Sequence, residues 1–68
     1  MKKRKNPPTL SDQLREIIEQ GELSRYEISK RSGVDASQLH RFVRGTGRLT
    51  TDSLDKIGTV LGLRLTRD

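Results

Sequence analysis

Cysteine is absent from this chain, which removes both disulfide staples and thiolate metal sites as supports for a small fold. Its absence also fits a reducing cytoplasm. A single imidazole, His40, leaves a zinc ion without a ligand set, so neither metal nor cofactor is expected. Tryptophan is missing as well, and Tyr26 and Phe42 are the only aromatic residues. That is too few to build the stacking platform by which proteins read unpaired RNA. No apolar run approaches the ~20 residues needed to cross a bilayer, and no signal-peptide core follows the basic start. The chain is therefore expected to be soluble and cytoplasmic, with no membrane partner. Nothing alternates in the manner of a multi-stranded sheet, so the core has to come from helices.

What is present is charge, unevenly placed. Residues 2–5 (KKRK) are all basic, and residues 25–48 hold six basic and two acidic side chains. Everything else carries four basic and seven acidic residues, so a formal net charge of +5 is concentrated in one tail and one central block. Such a distribution suits a polyanionic partner. For the tail alone, solubility is an equally good account. With 68 residues and 29% apolar content, the chain makes one small domain with a thin core, near the size at which a single core is self-sufficient. Association with a second copy would add to its stability.

The opening MKKRKNPP has no apolar periodicity and is expected to be a disordered arm over residues 1–8. Thr9 and Asp12 make a weak capping box ahead of Leu10, Leu14, Ile17 and Ile18, one stripe of an amphipathic helix that Gly21 is expected to close in a left-handed conformation. Ser24 and Glu27 form the next capping box, opening a helix with Ile28 inside and Tyr26 as its candidate core partner. Gly33 ends that helix and Val34 follows as a buried hinge. Asp35, with Gln38 in the reciprocal position, caps a third helix whose inner edge is Leu39, Phe42 and Val43, and Gly45 closes it. Thr50 or Thr51 caps a fourth helix carrying Leu54, Ile57 and Leu61, closed by Gly62. Gly58 inside it costs about 1 kcal/mol relative to Ala unless it admits close packing. The tail, residues 64–68, follows Leu63; Leu63 and Leu65 alternate with polar residues as in a short strand or an irregular end.

Residues 24–45, SRYEISKRSGVDASQLHRFVRG, set Ser24, Ile28, Ser29, Gly33, Val34, Asp35, Leu39, Phe42 and Gly45 at a spacing that resembles the helix-turn-helix of phage-repressor-like (Cro/repressor type) regulators. The resemblance runs over about residues 9–63, the whole proposed domain. It implies an all-α fold, a small four- to five-helix bundle of the lambda-repressor-like type. It also implies sequence-specific binding of double-stranded DNA, with residues 36–44 as recognition helix and a homodimer on a near-palindromic operator. Two helices meeting steeply through a tight turn need Gly33 there and a small residue at Ser29. Where this family usually has Ala and an apolar residue, the chain has Ser29 and Ser32, which is expected to weaken the packing slightly. Arg25 replaces the Gln that usually starts the second helix.

The third helix shows why the central block is basic. At about 100° per residue, Ser37, Arg41 and Arg44 fall about 140–200° away from the inward Leu39, with His40 and Gln38 flanking them. A major groove admits one helix and reads it through such an outward row. Arg41 can bond two acceptors of guanine and Gln38 can bond adenine. Ser37 lets the helix seat deeply, Ala36 can touch a thymine methyl, and His40 stands at the margin. Phosphate contacts are expected from Ser24, Arg25, Arg44 and Arg48, the first two at the start of the second helix. Lys2, Lys3, Arg4 and Lys5 form an arm able to follow the duplex. Blander readings compete: a first-turn polar residue for Ser37, a capping role for Gln38, a complement to the helix dipole for Arg44.

An alternative function is an antitoxin-type interaction module that binds a protein partner and autoregulates its promoter, since the fold alone does not separate the two. Catalysis is not expected: His40 lacks a spaced partner, the acids do not converge with a base, and so small a domain has little room for a substrate pocket.

Overall fold

The computed structural model describes residues 8–67 of the chain. Four helices follow one another, α1 (Leu10–Gln20), α2 (Arg25–Ser32), α3 (Ala36–Arg44) and α4 (Thr51–Leu61). Among the described residues there is no fifth helix and no strand, and the chain after Gly62 is irregular. The lead containing Lys2, Lys3, Arg4 and Lys5 lies outside the described residues, so the expectation of a disordered arm concerns a part of the chain that is not described.

Each helix starts where a short polar side chain can take up a free amide. Thr9 makes the complete capping box: its Oγ1 accepts from the Asp12 amide at 3.0 Å, and its own amide donates to Asp12 Oδ2 at 3.2 Å. Ser24, Asp35 and Thr50 each accept from the amide three residues on. The reciprocal halves expected at Glu27 and Gln38 do not form. Glu27 turns instead to Arg31, one helical turn later, at 3.2 Å, and an i,i+4 ion pair displaces the return bond.

Helix ends follow the glycines with one correction. Gly33, Gly45 and Gly62 adopt positive φ, whereas Gly21 is extended at φ −78° and ψ 174°. The chain therefore leaves α1 straight rather than turning back. A Cβ at position 21 would stand 2.9 Å from the Ile17 carbonyl oxygen, so Gly21 serves a close approach.

α2 is the centre of the packing, lying against both α3 and α4, while α1 lies against α3. Leu14, Ile18, Ile28, Val34, Leu39, Phe42, Val43 and Ile57 form the core, and Leu23, Leu49 and Leu61 pack on its edge. Ile28, Leu39 and Ile57 are fully buried, one from each of α2, α3 and α4, each contributing about 1.5–3 kcal/mol of transfer free energy. Several expected core residues lie outside. Tyr26 is 68% exposed; two residues before Ile28 it points about 200° away from it, so burying one exposes the other. Leu10, at the first position of α1, extends beyond the edge of the core and is 65% exposed, while Ile17 and Leu54 sit on stripe edges, each 42% exposed. Gly58 meets nothing within 4 Å of where a Cβ would stand, so close packing is not its purpose.

Candidate nucleic-acid interface

The segment between α2 and α3 sets the angle of the two helices, and its side chains hold it. Ser29 Oγ donates to the Val34 carbonyl at 2.6 Å, and the Val34 amide donates to Ser32 Oγ at 3.1 Å. Both polar groups of the Val34 backbone are thus satisfied by the two serines that were expected to weaken the packing. Gly33 closes α2 at φ 81°, its amide bonding to the Ser29 carbonyl. Because Val34 itself is buried, an unsatisfied amide or carbonyl there would cost about 1–3 kcal/mol. The serines are compensated departures.

A residue that the sequence reading passed over fixes the other end of α3. Arg15, on α1, donates from Nε to the Phe42 carbonyl at 2.8 Å, with its guanidinium carbon 4.7 Å from the centre of the Phe42 ring. Its Nη1 bonds Asp12 Oδ1 at 3.1 Å. The Phe42 carbonyl, in the last turn of α3, accepts from the Gly45 amide at 3.0 Å, and Arg15 adds a second donor from 27 residues away. The only sequence signal was a basic residue beside a stripe of apolar ones. The loop after α3 folds back as well: the Thr46 and Gly47 amides both reach the Arg41 carbonyl, at 2.9 and 3.1 Å. A Cβ on Gly47 would lie 2.8 Å from the Arg41 Cβ, so position 47 has room only for glycine.

Held in this way, α3 turns Leu39, Phe42 and Val43 inward and leaves Ala36, Ser37, His40, Arg41 and Arg44 exposed, with Gln38 half-buried. Arg48 is exposed in the following loop and Ser24 at the start of α2. The outward row calculated from helical periodicity is therefore present and open to solvent. No acid pairs with Arg41, Arg44 or Arg48 among the described residues, although Arg15, Arg25, Arg31 and Lys56 each have an acidic partner. Gln38, whose amide donates to Asp35 Oδ2 at 3.1 Å, makes no return side-chain bond to the cap.

Arg25 is not free in the same way. Its Nη2 lies 3.6 Å from Glu19 Oε2 on α1, and its Nη1 lies 2.9 Å from His40 Nδ1 on α3. Arg25 and His40 lie 15 residues apart in the sequence, and the fold brings them together across the helix pair.

Concavities of the surface lie along α1, at the α1–α2 connection, where Ser24 and Arg25 line one, and between α1, the loop after α3 and α4, where Arg48 lines another. None is lined by Ser37, Gln38, His40, Arg41 or Arg44. The outer face of α3 carries exposed Arg41 and Arg44 and no acid. Among the described residues no group of three His, Cys, Asp or Glu side chains could hold a metal ion, and no helix is long and apolar enough to cross a membrane.

Comparison with known proteins agrees with this geometry. No curated protein and no solved structure gives a match. A family model, that of the Cro/C1-type HTH DNA-binding domain, matches residues 13–66 and so takes in all but the first residues of α1 and the whole of α2, α3 and α4. The match covers most of the chain, and the protein belongs to the family of Cro/C1-type HTH DNA-binding domains.

Proposed function

We propose that the protein is a sequence-specific transcriptional regulator that reads duplex DNA with α3 in the major groove. The observation that carries this reading is the acid-free outer row of α3, where exposed arginines have no acidic partner among the described residues. Arg41 takes the central reading position, bidentate to a guanine edge, with Gln38 on adenine, Ser37 and Ala36 close to the groove floor, and His40 beside them. Ser24, Arg44 and Arg48 hold phosphates, which set orientation and affinity without setting sequence. Arg25, also expected at a phosphate, already has two partners in the protein.

A homodimer on a near-palindromic site completes the proposal, with half-sites about one helical turn apart. Leu63 and Leu65, exposed after α4, suit self-association.

Titration on selected and random duplexes at several salt concentrations tests the assignment. Arg44→Ala and Arg48→Ala should weaken binding to all sequences and flatten the salt dependence by about one unit each. Arg41→Ala should lose about 1–3 kcal/mol on the selected site and relax base choice at one position. Unchanged affinity and salt slope in all three would refute the reading.

A further inference from the structure

The Glu19–Arg25–His40 chain links three helices in sequence: an acid late in α1, an arginine at the first position of α2, and an imidazole in the middle of α3. Its contribution to stability is small. The Arg25 and Glu19 side chains are 40% and 51% exposed, and ion pairs so open to solvent are largely screened. What the chain fixes is chemistry. A guanidinium has donors only, so at 2.9 Å from Arg25 Nη1 the His40 Nδ1 must be the acceptor, and the proton of the neutral ring sits on Nε2. His40 is exposed, so the atom it offers outward is an N–H donor.

We propose that Glu19 and Arg25 are positioning residues that fix the tautomer and orientation of His40, so that α3 presents a hydrogen-bond donor beside Arg41 to an acceptor on the duplex. The proposal rests on the DNA-binding reading above and deepens it. The acceptor is a guanine edge or a phosphate oxygen, two of the donor-seeking groups a helix in the groove meets. Glu19 reaches no base itself; it acts through Arg25, whose donors it keeps directed across the helix pair.

The sign of the Glu19→Gln effect makes the proposal testable. Removing an acid from a DNA-binding surface ordinarily tightens binding by reducing repulsion of the phosphates. Here Glu19→Gln should loosen binding instead. The experiment is a double-mutant cycle on the full chain, with Glu19→Gln, His40→Ala and the double variant titrated on the selected duplex and melted in parallel. Each single variant is expected to weaken binding by roughly threefold to tenfold, the value of one hydrogen bond. The double variant should lose no more than His40→Ala alone, and the melting midpoint of Glu19→Gln should stay at the wild-type value. Tighter or unchanged binding by Glu19→Gln, or additive losses in the double variant, would overturn the proposal. So would a nitrogen NMR spectrum of the wild-type imidazole showing the proton on Nδ1. Duplexes carrying 7-deazaguanine or a single methylphosphonate separate the two acceptors, since only the one that His40 meets becomes insensitive to His40→Ala. A wild-type chain that binds no duplex removes the DNA-binding reading and this proposal with it. Additivity in a chain that does bind removes the proposal alone.

Discussion

α2 and α3 are consecutive helices of eight and nine residues, each capped by a short polar side chain and each ended by a left-handed glycine. Their outer surfaces differ. Every basic residue of α2 has a partner: Arg25 with Glu19, Arg31 with Glu27, and Lys30 with its Nζ 6.0 Å from the centre of the Tyr26 ring. On α3, Arg41 and Arg44 stand exposed in a helix that contains no acid. The two helices carry the same formal charge, but the cations of α2 are engaged with neighbouring side chains whereas those of α3 have no acidic partner among the described residues. Basic composition alone does not distinguish a solvated face from a binding face; the pairing of each cation does.

The largest expected effect removes what both helices share. Leu39→Ala, at a fully buried site, should cost about 2–5 kcal/mol, and a thermal melt should show a domain this small largely unfolded. The next prediction sharpens the contrast itself. Arg31→Ala, which breaks a pair within α2, should change specific DNA affinity by less than about 0.5 kcal/mol, against the 1–3 kcal/mol predicted for Arg41→Ala; equal losses in the two variants would abolish the distinction.

Ser29→Ala restores the residue usual in the family yet should destabilise the chain by about 1 kcal/mol, because the Val34 carbonyl loses its donor. A chemical denaturation curve with unchanged slope and a lower midpoint would confirm it. Smallest and opposite in sign, Gly58→Ala should stabilise by about 0.5–1 kcal/mol, since nothing occupies the space its methyl would take; a raised melting midpoint is the readout.

Local chemistry was legible in the sequence wherever the answer depends on a few adjacent residues. The caps at Thr9, Ser24, Asp35 and Thr50 and the positive-φ glycines at 33, 45 and 62 follow from backbone needs that only such residues meet. The outward row of α3 followed from periodicity once Leu39 was taken as inward. What the sequence hid was competition and distance. Glu27 had two uses within its own helix and took the ion pair. Tyr26 resembled a core residue by type but lay on the wrong side of Ile28. Arg15 to the Phe42 carbonyl, and Arg25 to His40, join residues 27 and 15 positions apart, and no local rule connects them. At 29 and 32 the departures from the family pattern also have a hydrogen-bonding role, to the Val34 backbone, that their effect on packing does not reveal.

Those serines carry a further consequence. The peptide groups at Val34 are held by side chains two and five residues upstream, so the elbow between the two helices is braced from inside its own short stretch of chain. A bend secured in that fashion should travel with residues 24–45 when they are grafted onto another helical scaffold that covers Ile28 and Leu39.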